Sequence, residues 1–151
     1  MLRDDINNAL KDAMKARNER SVSTLRLMNA AIKDKDIEAR GNGKGPLSDE
    51  ELLSVFQKMI KQRQESADLY QKGGRPELAS QENEEIAIIT SYLPKQMSDD
   101  EIKAAIAAVI KDTAAASVKD MGKVIGVLRG KYAGKMDFAK ASGLVKGMLG
   151  G

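Results

Sequence analysis

The stretch that decides the fold is "KQRQESADLYQKGGRPELASQENEEIAIITSYLPKQMS", residues 61 to 98. A helical pattern runs into Gly73-Gly74, restarts after Pro76 and stops at Pro94. Gly73 fits the position just past a helix C-terminus, and Pro76 fits the first turn of the helix that follows. Most positions on the way are charged or amide-bearing, and the pattern turns apolar near its end through Ile86, Ile88, Ile89, Tyr92 and Leu93. "KGGRP" therefore reads as a helix–helix corner. The two arms form a polar helical hairpin that tightens into an apolar base.

On the N-terminal side, Leu2, Ile6, Leu10 and Met14 recur every four residues, with Ala9 and Ala13 beside them, which predicts a helix from about Leu2 to Arg17. Ser21 or Ser23 can cap a second helix that uses Val22, Leu25, Met28, Ile32 and Ile37. "GNGKGP", residues 41–46, is a flexible loop by composition. Ser48 and Glu51 have the spacing of a capping box at the start of the third helix, which carries Leu52, Val55, Phe56, Met59 and Ile60.

Beyond Pro94, "KQMS" is the best domain boundary, and Ser98 with Glu101 repeats the capping-box spacing. A helix over Ile102, Ala105, Ile106, Val109 and Ile110 follows, then one from about Val118 to Arg129, and a last one from about Asp137 to Leu149. No alternating strand pattern occurs. The expected fold is all-α, with an N-terminal four-helix domain (1–94) built on the long hairpin and a small C-terminal three-helix domain (98–151).

Composition removes several chemistries. The chain has no cysteine and no histidine, which excludes disulfides, thiolate nucleophiles, imidazole bases and Cys/His zinc sites. Aromatic residues make up only 3%, so Ala, Leu, Ile and Met must fill the core. No apolar run approaches the roughly 18 residues of a membrane span. "MLRDDINNAL" lacks a signal peptide's apolar stretch. A cytoplasmic protein with no membrane partner is expected. "ENEE" and "SDDE" look like helix first turns and solvated faces rather than a catalytic pair. No catalytic residue, metal or cofactor is assigned.

The charge is unevenly spread. Residues 1–97 are neutral, and residues 113–151 hold seven basic side chains against two acidic ones, Asp120 and Asp137. The seven cations, Lys119, Lys123, Arg129, Lys131, Lys135, Lys140 and Lys146, are the candidate nucleic-acid contacts. Lys119 and Lys123 stand four apart, which suggests one helix face. "MGKVIGVLRGKYAG" also spaces Gly122, Gly126, Gly130 and Gly134 by four. Each interior helical Gly costs roughly 0.5–1 kcal/mol relative to Ala, so a reason is needed. One reading is tight packing at Gly122 and Gly126, with Gly130 and Gly134 as cap and turn. The other is close approach of a nucleic-acid backbone or a partner helix. "GVLRGKY" lacks both the spacing and the Ser/Thr of a phosphate-binding loop.

Three stretches, "LRLMNAAIKDKDIEAR", "IKQRQESADLYQKGGRPELASQENEEIAIITSYLPKQMSDDEI" and "MGKVIGVLRGKYAGKMD", together resemble the GatB/YqeY family, in particular its stand-alone YqeY-like members. The resemblance covers nearly the whole chain. It implies a helical N-terminal part and a three-helix C-terminal module similar to the tail of the tRNA-dependent amidotransferase B subunit, which helps hold tRNA. Carried over, it makes Lys119, Lys123, Arg129 and Lys131 tRNA-facing, and Gly122, Gly126 and Asp137 structural marks. Gly73, Gly74, Pro76, Pro94 and Gly134 belong with those marks as corner and turn residues. The function so implied is a tRNA-binding accessory module with no chemistry of its own. The alternatives are an accessory subunit of a glutamine-dependent amidotransferase, a carbon–nitrogen ligase whose catalytic body this chain lacks, and a protein-interaction module.

Overall fold

Seven α-helices and one short 3-10 turn make up the regular structure of residues 1–150, the part of the chain described by a computed structural model. No strand occurs among these residues, and the all-α expectation is borne out. Contacts divide the chain into two units, Met1–Leu93 and Pro94–Gly151.

The first unit contains α1 (Leu2–Lys15), α2 (Glu19–Gly41), α3 (Asp49–Lys72) and α4 (Pro76–Thr90). Its core joins Ile6 and Ala13 of α1 to Leu25, Met28 and Ile32 of α2, Leu52, Phe56 and Met59 of α3, and Ile89 of α4. Burial of these aliphatic faces is what makes individually marginal helices stable. Two expected core positions, Met14 and Ile37, are half exposed, at 50% and 54%. Ala13 supplies the buried position in the last turn of α1 instead.

α3 and α4 form the most extensive helix pair, the hairpin read from the sequence. Far from the apolar base, small buried residues (Ala67 and Ala79) let the two helices approach closely. Nearer the base, Arg63 Nε donates to Glu85 Oε2 at 2.9 Å, and Arg20 of α2 contacts both Glu84 and Glu85. Burial, and then the nearby Glu85 charge, hold the Glu82 carboxyl above the usual range. The polar sequence of the arm is thus used partly for charge pairing across three helices.

Several boundaries differ from expectation. Asn18, not Ser21 or Ser23, caps α2, its side chain accepting from the Ser21 N–H. At the corner Gly73 has φ −84° and Gly74 has φ +72°, so Gly74 is the left-handed residue. Gly74 N–H donates to Gln71 O and Arg75 N–H to Tyr70 O, the Schellman closure that satisfies the last carbonyls of α3. Pro76 occupies the start of α4, where its missing N–H costs nothing. α4 ends at Thr90, before Pro94, in a tight turn where Tyr92 and Leu93 N–H reach back three residues and Ser91 Oγ donates to Ile88 O. Both capping boxes, Ser48/Glu51 and Ser98/Glu101, are present with reciprocal bonds.

A polar pin closes the end of the unit that holds the loop between α2 and α3. Arg3 donates to both Asp36 oxygens at 2.5 and 2.7 Å and to Leu47 O at 2.8 Å, while Leu47 N–H donates to Asp36 at 3.0 Å. The Arg3 hydrogen bonds and then the Leu47 N–H lower the Asp36 pKa to about 2.

Candidate nucleic-acid interface

The second unit packs α5 (Asp99–Asp112), a 3-10 turn (Val118–Asp120), α6 (Met121–Tyr132) and α7 (Phe138–Met148) around one core. Ile102, Ala105, Ile106 and Val109 of α5 meet Val124 and Leu128 of α6, Met136, and Ala141 and Val145 of α7. α6 begins later than its sequence pattern suggests. Ser117 and Asp120 cap one another, and the Asp120 carboxylate accepts from the Ala116 and Ser117 N–H groups, which keeps it below the ordinary carboxylate range. That tight turn places Lys119 ahead of α6, so Lys119 and Lys123 do not share an α-helical face.

Val124 and Leu128 give α6 its core face. Gly122 and Gly126 lie two residues before them, about 200° around a helix of 3.6 residues per turn, and are exposed. A Cβ added at Gly122, Gly126 or Gly130 would meet nothing within 4 Å. The tight-packing explanation for Gly122 and Gly126 is therefore overturned: this face is open. Gly130 is not a cap but lies inside α6. Gly134 does serve the turn. Ala133 has φ −53° and ψ 128°, Gly134 has φ +76°, and Lys135 N–H donates to Tyr132 O, a type II turn that favours Gly at its third position. Asp137 caps α7, its carboxylate accepting from Ala139 and Lys140 N–H. Gly143 and Gly147 on α7 are likewise exposed with open space above them.

The seven cations fall into two sets. Lys140 is paired with Asp99, whose pKa is lowered first by that hydrogen bond. Arg129 lies over the Phe138 ring, 5.4 Å from its centre, and Lys123 reaches the Thr113 carbonyl at 3.4 Å. Lys119, Lys131, Lys135 and Lys146 are exposed and have no acidic partner among the described residues. The sequence reading did not foresee the Asp99–Lys140 pair, because a contact between residues 41 apart carries no local signal.

A model of the Yqey-like protein family matches residues 3–149. The chain belongs to that family. Among curated proteins, it is 36% identical over 84 residues to "Altered inheritance of mitochondria protein 41, mitochondrial" of Eremothecium gossypii, covering 56% of this chain and 44% of that protein. The protein of the same name from Clavispora lusitaniae is 38% identical over 96 residues, 62% of this chain and 54% of its own length. That of Saccharomyces cerevisiae is 33% identical over 84 residues, covering 56% and 44%. The chain thus spans about half the length of the curated relatives it matches. Their names place those proteins in mitochondria, which overturns the cytoplasmic assignment made from composition. No helix among the described residues is long and apolar enough to cross a membrane.

Proposed function

We propose that this YqeY-family protein is a tRNA-holding accessory module without chemistry of its own, in which residues 1–94 and 98–151 act as separate domains and the latter meets the RNA. The observation that carries the reading is the open glycine face of α6 in a basic unit. Gly122, Gly126 and Gly130 expose helix backbone with no side chain to hold a ligand off, and exposed cations lie before that face (Lys119) and after it (Lys131, Lys135). Phosphates attract such cations at long range, and the glycines let a sugar–phosphate strand come within contact distance. Contacts of this kind favour shape over sequence.

The test is fluorescence anisotropy of labelled tRNA with the full chain across a salt series. If Lys119, Lys131, Lys135 and Lys146 each meet a phosphate, log K should fall against log salt with a slope of about −3 to −4, from roughly −0.7 to −0.9 per phosphate. The double substitution K119E/K131E should weaken binding about tenfold or more. No binding at tens of micromolar protein in low salt would remove the RNA reading. The open face would then be assigned to a protein partner, and copurification of amidase-type chains would identify an amidotransferase complex.

A further inference from the structure

The segment after Pro94 is fastened to the turn that follows α6. Met97 N–H donates to Lys135 O at 2.9 Å, and Gln96 Nε2 donates to Gly134 O at 2.5 Å and to Pro94 O at 3.0 Å. The type II turn itself is closed by the Lys135 N–H to Tyr132 O bond at 3.0 Å. Between the two pinned strands of backbone lies a cavity of about 370 Å³, lined by Lys95, Gln96, Met97, Glu101, Tyr132 and Lys135. This is within the usual range for small-ligand sites, about 300–1,000 Å³.

The lining has two halves. Tyr132 and Met97, each partly buried against the core of the unit, supply an aromatic ring and a polarizable thioether. Lys95 and Lys135 are exposed and are not ion-paired among the described residues. Glu101 accepts from Ser98 N–H at the helix cap and its charge also acts on Lys95, which holds that ammonium at the wall, while Lys135 has no acidic partner among the described residues. Flat apolar surface beside two cations suits a ligand with a planar ring and an anionic group. The hydrogen bonds pinning the backbone mean the site is formed before a ligand arrives.

We propose that this cavity takes one unstacked nucleotide, its base against Tyr132 and Met97 and its phosphate on Lys95 and Lys135. The source is either a free mononucleotide or an unpaired nucleotide of RNA; the second rests on the RNA-holding reading above. Aromatic stacking of a base is worth roughly 1–3 kcal/mol, or about 5- to 150-fold in affinity.

The full chain, labelled with ¹⁵N, would be titrated with AMP and separately with a single-stranded RNA hexamer. Amide shifts should centre on residues 95–98 and 132–136 with both probes. K95E/K135E, which alters only exposed side chains, and Y132L, checked for folding by circular dichroism, should each bind about tenfold more weakly. Pocket amides left unmoved by both probes, or wild-type affinity in both variants, would overturn the proposal. Its failure is separable from that of the RNA reading. If AMP moves the pocket amides but neither tRNA nor the hexamer binds, the pocket stands and RNA holding falls. If tRNA binds K95E and Y132L as it binds the wild type and loses affinity only in K119E/K131E, the pocket falls and RNA holding stands.

Discussion

Arg17 and Ala114 carry positive φ angles of 57° and 53° at the left-handed position after α1 and α5. Each sits in the same closure that Gly74 provides after α3: Arg17 N–H donates to Met14 O and Asn18 N–H to Ala13 O, and Ala114 and Ala115 repeat the pattern with Lys111 and Ile110. A side chain costs roughly 1–2 kcal/mol in this conformation, part of which glycine's extra freedom in the unfolded chain offsets. Arg17→Gly and Ala114→Gly should therefore each stabilise the protein by about 0.5–1 kcal/mol. The reading is a higher urea midpoint at unchanged denaturant slope. A lower midpoint would mean that the Arg17 or Ala114 side chain makes a compensating contact.

At the scale of elements, α6 offers the sharpest test. Gly126 is an interior helical position and Gly122 lies in the first turn of α6, each with open space where a Cβ would be added. Gly126→Ala should therefore raise stability by roughly 0.5–1 kcal/mol and Gly122→Ala by less. If the face holds a sugar–phosphate strand, the same substitutions should weaken tRNA binding while raising the melting temperature. An unchanged affinity would show that the glycines are not contacted. The Arg3–Asp36 pin links α1 to α2 and predicts a pH effect. Asp36 is held at about 2 in the folded protein, against an ordinary value of 3.8. A depressed carboxylate contributes its stability above the unfolded value and loses it as pH falls through the folded one. The melting-temperature gap between wild type and Asp36→Asn should stay constant above about pH 5 and shrink between pH 4 and pH 2. A gap independent of pH would mean the pin acts by shape rather than charge.

For the whole molecule, neutral residues 1–97 precede a C-terminal stretch that carries the net charge, and salt-dependent tRNA affinity is the global readout of that asymmetry. Helix number, both capping boxes, the hairpin corner and the apolar faces could be read from local spacing, because caps and amphipathic periods act within three or four residues. The family could be read too, since its motifs run along nearly the whole chain. The missed details share one physical origin. Met14 and Ile37 fit the helical period yet stay half exposed, because burial depends on which partner helix arrives. Lys140 and Arg129 belong to the basic set by sequence, but Asp99 and Phe138 engage them across the fold. The spacing of four at Gly122, Gly126 and Gly130 demanded an explanation, and only the direction of Val124 and Leu128 decided between packing and an open face. The sequence alone determined that this is an all-α YqeY-family chain with a polar hairpin and a basic C-terminal end. Which cations remain unpaired, and where a pocket forms beside them, were decided by tertiary contacts between residues far apart in the chain, which no local pattern encodes.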